Sequence, residues 1–315
     1  MRGRTGPRRG SRSFRHPMPT GPLAAAAAYV LWGVFPLYIK QVAHVPALQV
    51  VAHRSWWSVV FVFALLALLG RLGWLRAALA DWRTLRVFAA SALLLSANWL
   101  IYVWAVSAGR IVDTSLGYFI NPLVNVLLGV WLLGERPRPL QWVAVGIAAT
   151  GVAWLVLGAG EWPWIALALA GSFGLYGLLR KTAPLGAAEG LALETLMQAP
   201  IALALIAWWA WAGASAMRTD DPVTMAWLLA AGPFTAIPLL LFAAGARRVT
   251  LATLGLLQYL GPTLQFLIGV FVYGEPFSAN RAVGFVLIWA ALALYTGESI
   301  WVWRRAAQAG SGAAR

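Results

Sequence analysis

Apolar positions in this chain do not alternate with polar ones at a strand or surface-helix period. They come in long uninterrupted runs separated by short clusters of charge, glycine and proline. Ten runs can be marked, at roughly 23–39, 47–69, 85–106, 111–133, 140–157, 162–179, 188–211, 223–244, 251–273 and 279–303. Each approaches the ~20 residues that an α-helix needs to cross about 30 Å of hydrocarbon. The pattern predicts an all-α integral membrane protein with ten transmembrane helices.

Two of these runs are copies of one another. Leu116–Glu135, LGYFINPLVNVLLGVWLLGE, returns as Leu256–Glu275, LLQYLGPTLQFLIGVFVYGE. Leu116/Leu256, Pro122/Pro262, Leu127/Leu267, Gly129/Gly269, Val130/Val270, Gly134/Gly274 and Glu135/Glu275 are identical. The mid-run prolines Pro122 and Pro262 lack an N–H and so release the carbonyls of Tyr118 and Gln258, four residues back. A helix broken at membrane depth is tolerated where it borders a polar cavity, which is how many secondary transporters build a substrate site. The first and sixth runs match in the same way, with Gly33/Gly174, Phe35/Tyr176 and Lys40/Lys181 aligned. Five helices therefore make one unit. Because five is odd, the second unit enters the membrane from the opposite side, giving two inverted five-helix repeats at 21–158 and 159–303, followed by a tail at 304–315.

Charge orients this scheme. With the N-terminus in the cytoplasm, nineteen Lys and Arg fall in inner loops and termini, and four (Lys40, Arg110, Arg218, Arg281) fall outside. The positive-inside rule then places both termini in the cytoplasm. It also accounts for the net charge of +14 without nucleic acid as a partner. Residues 1–20 are rich in Arg, Gly and Pro and read as a disordered basic arm, with a translation start at Met18 as the alternative that removes most of it. Cysteine is absent and there are three histidines, a composition that points to no metal site and no cofactor.

Polar residues inside the runs are the candidate chemistry. His53 and Arg54 interrupt the second run and Glu194 the seventh, and His53 maps onto Glu194 under the repeat. An arginine at membrane depth is costly unless it finds a partner, a cavity or an interface. One expectation is therefore that Arg54 and Glu194 neutralise each other across the two halves, and the other is that Arg54 reaches an interface while Glu194 caps a neighbouring helix. Asn98, Trp99, Tyr102, Tyr118, Asn121 and Asn125, with Thr235, Gln258, Tyr259 and Gln265 from the second half, complete the expected lining of a substrate cavity. Glu135 and Glu275 are expected to tie neighbouring helix ends. Runs five and ten carry small residues (Gly146, Gly151, Gly284) and few polar groups, as outer packing helices or a homodimer surface would.

Several motifs carry a family resemblance. N-P-x-x-N at Asn121–Asn125 and G-P-x-x-Q at Gly261–Gln265 resemble the drug/metabolite transporter superfamily with its paired EamA domains. The runs YVLWGVFPLYIK, HRSWWS, NWLIYVWAV, SLGYFINPLVNVLLG, LGERPR, LETL and TLGLLQYLGPTLQFLIGV resemble its RarD branch, over about residues 22–303. The resemblance implies an inner-membrane permease in a superfamily that exports amino acids, metabolites and drugs, its branch being associated with chloramphenicol. It also implies that helices one to four and six to nine surround the cavity, with five and ten outside.

These observations lead to a secondary transporter that moves a small polar or zwitterionic organic metabolite or drug by alternating access. Glu194 is its expected coupling carboxylate, with His53 as a relay. The chain carries no phosphate-binding loop for an ATPase of its own. A ligand-binding scaffold or sensor without flux is the first alternative. A membrane transferase is the second, and its acids would have to be Asp220 and Asp221, a pair that reads equally well as a turn or helix cap.

Overall fold

The computed structural model describes residues 20–107, 111–157, 164–218, 220–272 and 279–312. Every regular element among them is helical: α1 (Thr20–Gly33), α2 (Phe35–Gln41), α3 (Ala47–Leu68), α4 (Trp74–Ala80), α5 (Trp82–Ser107), α6 (Ile111–Leu133) and α7 (Pro139–Leu157). The second half supplies α8 (Trp164–Thr182), α9 (Ala187–Trp211), α10 (Pro222–Ala246), α11 (Leu251–Gln258), α12 (Leu260–Phe271) and α13 (Ala279–Gly312).

Seven stretches among the described residues are long and apolar enough to cross a membrane, the first of them joining α1 and α2. Three of the ten expected spans fall outside that set: α8 ends on Arg180 and Lys181, the ninth run is divided into α11 and α12, and α6 contributes the shorter apolar stretch Gly117–Leu133 among the described residues. The protein is a multi-pass membrane protein.

The helix breaks follow the prolines only in part. Pro36 sits at the start of α2 and deprives the Trp32 carbonyl of its helical donor, so α1 and α2 part at Val34. The side-chain amide of Gln265 donates to that orphaned carbonyl at 3.0 Å. At the matching place in α8 the sequence has Gly177, and α8 runs through. Pro262 follows Gly261, and the helix parts at Tyr259. Pro122 follows Asn121 instead, and α6 remains continuous, contrary to the expectation that both prolines break their helices. Glycine adds about 1 kcal/mol of helix penalty to that of the proline, which distinguishes the two sites.

Packing respects the repeat. Gly33 of α1 lies against Leu264 of α12, and Gly174 of α8, its counterpart, lies against Val124 of α6, the counterpart of Leu264. A methyl group at either glycine would stand within 2.8 Å of the facing side chain, so both close approaches require its absence. The principal helix contacts are α1 with α10, α11 and α12, α8 with α5 and α6, α3 with α9 and α10, α6 with α11, and α7 with α13. Helices α7 and α13 pack chiefly on each other, with further contacts to α6 and α11. Only 22% of the α7 span is buried, against 56% of the α10 span, so α7 is peripheral.

Candidate functional site

A cavity lies where α1, α3, α5, α6, α8, α10, α11 and α12 converge, with about 810 Å³ of atom-free space including its mouth. Seven aromatic residues line it: Tyr29, Trp32, Phe35, Trp99, Tyr102, Tyr118 and Phe173. Its polar groups are Arg54, Asn98, Thr235, Gln258 and Gln265, and the break residues Gly261 and Pro262 complete one side.

Arg54 is the charged residue of this lining. It is 5% exposed, and its guanidinium lies over the indole of Trp99, 3.9 Å from the ring centroid. Tryptophan is the best aromatic partner for a cation, and the stack orients the planar group without neutralising it. Nε of Arg54 has no hydrogen-bond partner among the described residues, and neither do the buried hydroxyls of Tyr29 and Thr235, two residues that line the same cavity. The amides are partly committed: Asn98 donates to the Leu169 carbonyl at 3.0 Å and to Ser172 at 2.9 Å, and Gln265 is tied to Trp32.

Eight of the residues expected in the cavity therefore line it: Arg54, Asn98, Trp99, Tyr102, Tyr118, Thr235, Gln258 and Gln265. Five do not. Asn125 stands one layer behind, donating to Oε1 of Gln258 at 3.1 Å. Tyr259 turns its hydroxyl to the Phe119 carbonyl at 3.2 Å. Asn121 and His53 are buried outside the lining, each with an unsatisfied polar atom, and Pro122 packs its carbonyl side toward Gly255.

Glu194 is the fifth, and its partner is Arg180, not Arg54. The carboxylate is fully buried at the junction of α5, α8 and α9, where it accepts from Ser91, from Arg180 Nη1 at 3.4 Å and from the Tyr176 hydroxyl at 3.4 Å. Arg180 also donates to the Ala187 carbonyl at 2.9 Å and faces the ring of Phe88. Counted from the sequence as an inner-loop charge, Arg180 is in fact 1% exposed, and no local signal distinguished it from Lys181 beside it.

Three further acids have structural partners. Glu135 accepts from the N–H groups of Leu251 and Ala252 at 2.9 and 3.3 Å, which ties it to the start of α11 as expected, and Lys181 stands 3.6 Å away. Asp220 pairs with Arg218, and Asp221 caps α10 through Thr224, whose side chain and N–H hold its carboxyl below the usual carboxylate range. Glu275 lies outside the described residues.

The EamA-like transporter family matches residues 19–157. The uncharacterized transporter YojE of Bacillus subtilis is 47% identical over 91% of this chain and 97% of its own. Protein RarD of Escherichia coli is 41% identical over 90% and 96%. The chain belongs to the EamA-like transporter family. Within it, the RarD-like EamA permeases are its relatives, among them the chloramphenicol-sensitive protein RarD of Pseudomonas aeruginosa at 33% identity. A crystal structure at 21% identity superposes with a TM-score of 0.67 over 87% of this chain and 96% of that one, so the two share a fold. This EamA protein is a membrane transporter.

The cavity residues missed in the sequence are Tyr29, Trp32, Phe35, Leu95, Phe173, Leu239 and Gly261. A signal for some was present. Trp32 and Phe173 each precede one of the matched glycines Gly33 and Gly174, so the repeat that located the close helix contacts also located two walls of the cavity.

Proposed function

We propose that this EamA protein is a secondary transporter that carries a small polar organic molecule across the inner membrane by alternating access. In this reading ten spans form two inverted five-helix repeats, α1/α2 to α7 and α8 to α13, with both termini cytoplasmic. The observation that carries it is the cavity, which draws its walls from both halves and holds a buried arginine without a carboxylate partner among the described residues. The paired packing of Gly33 on Leu264 and Gly174 on Val124 supports the repeat.

Position along the helices suggests which face is closed. Arg54 lies seven residues after the start of α3, and Tyr118 seven after the start of α6, both outer ends in this topology. Glu194 lies seven residues after the start of α9, an inner end. Below the cavity the inner ends are tied by Arg71 with Glu189, Lys181 with Glu135, and Arg247 with the carbonyls of Ala183 and Leu185. The arrangement corresponds to an inward seal beneath an outward-facing site.

Proton coupling would run through Glu194, the most deeply buried carboxylate among the described residues, acting on the seal because it does not line the cavity. Flux in proteoliposomes, with and without a pH gradient, tests both parts. Flux that follows the gradient and is lost in Glu194→Gln supports coupling there, and gradient-independent flux in both proteins leaves a facilitator. Ligand binding without flux of any compound, by protein shown to be folded, favours the scaffold or sensor.

A further inference from the structure

We propose that Arg54, with the unsatisfied hydroxyls of Tyr29 and Thr235, forms an anion subsite, and that the ligand is an organic carboxylate with a planar apolar body. The inference rests on the transport reading only in taking this cavity as the substrate site. A buried guanidinium needs compensation, and burial of an unpaired charge is far more costly than burial of a paired one. Arg180 shows the ordinary solution, a carboxylate from the next helix. Among the described residues Arg54 has none: its titratable neighbours are the phenols of Tyr38 and Tyr176, and its planar face is held by Trp99.

The unmet groups of the cavity wall include donors. Nε of Arg54 carries an N–H, and the hydroxyls of Tyr29 and Thr235 can each donate one more. A carboxylate offers two oxygens with about four acceptor positions, and a guanidinium presents a flat fork that matches it. Among the described residues no carboxylate lines the cavity, so an ammonium group would find aromatic faces and amide oxygens but no counter-charge. The rest of the wall is flat and aromatic, with Trp32, Phe35, Tyr102 and Phe173 suited to stack on a planar body.

The test titrates 3-phenylpropionate, its amide, the amine 3-phenylpropylamine and phenylalanine into the full chain in lipid nanodiscs, with binding read by calorimetry. Wild type is expected to bind the acid about tenfold or more tightly than the amide or the amine, and phenylalanine no more tightly than the acid. Arg54→Gln removes the preference, so that acid and amide bind within about threefold, and Arg54→Lys retains part of it because charge survives without the fork. The thermal transition of each variant establishes that it is folded. Equal binding of amide or amine in wild type, tighter binding of phenylalanine than of the acid, or an acid preference that survives in Arg54→Gln overturns the proposal, as does folded wild type that binds none of the four at millimolar concentration. Binding is read here without flux. Acid that binds but never crosses a bilayer leaves the subsite standing and defeats the transport reading, whereas flux that favours the amine defeats the subsite alone.

Discussion

Arg54 and Arg180 are both withdrawn from solvent inside the helical bundle, at 5% and 1% exposure, and both face an aromatic ring. They differ in what completes them. Arg180 has Glu194 and the Ala187 carbonyl, so its charge is paired within the protein, although its Nε, like that of Arg54, has no hydrogen-bond partner among the described residues. Arg54 has the face of Trp99 and an unsatisfied Nε beside a cavity. A buried charge compensated from within holds helices together, and one left uncompensated at a cavity is available to a ligand. The same division separates the helices. The α6–α8 contact joins two continuous helices, whereas α1/α2 and α11/α12 are both interrupted beside the cavity and supply Tyr29, Trp32, Phe35, Gln258, Gly261, Pro262 and Gln265 to its wall.

The comparison can be broken most forcefully at Glu194. Glu194→Ala leaves Arg180 charged and unpaired, and the expected loss is roughly 3–5 kcal/mol, read as a large fall in the thermal transition in detergent. Arg54→Gln should leave that transition near wild type, and an equal fall would contradict the distinction between the two arginines. Next in size is Gly177→Pro, which puts into α8 the residue that parts α1 from α2. A loss of about 3 kcal/mol is expected, because the equivalent amide, that of Asn125, donates to Gln258 and not to the Phe173 carbonyl as Gln265 does to that of Trp32.

Gln265→Leu strips that carbonyl of its donor and should cost about 1–3 kcal/mol in thermal stability, more than Gln198→Leu, whose amide contacts Ala92 and Ser96 on a partly exposed face. The smallest effect is a coupling energy. A double-mutant cycle between Arg180 and Glu194 should yield roughly 0.5–3 kcal/mol, and one between Arg54 and Glu194 no more than about 0.5 kcal/mol. Coupling of equal size in both cycles would restore the direct pairing that the repeat suggested.

That suggestion shows where reading the chain by its repeat succeeds and where it stops. Alignment of the halves located the glycines at which α1 meets α12 and α8 meets α6, because close packing leaves a local mark: a residue with no side chain at matched positions. It mispaired Glu194, because sequence symmetry relates positions that are equivalent, not positions that touch. Asn125 and Gln265 show the same limit. They are equivalent in the repeat, yet one supports Gln258 from behind and the other holds a helix break at the cavity wall.

The chain by itself determined that the protein is helical and membrane-embedded, that stretches of its two halves resemble one another, and that a few polar residues lie inside its apolar runs. These follow from hydropathy, proline chemistry and spacing, which are local. Only the tertiary structure decided which buried arginine is neutralised, which proline parts its helix, and which aromatic residues form the cavity wall. Each depends on what a neighbouring helix presents across the contact. In a bundle whose lipid-facing and core-facing surfaces are both apolar, no periodicity in the sequence records that.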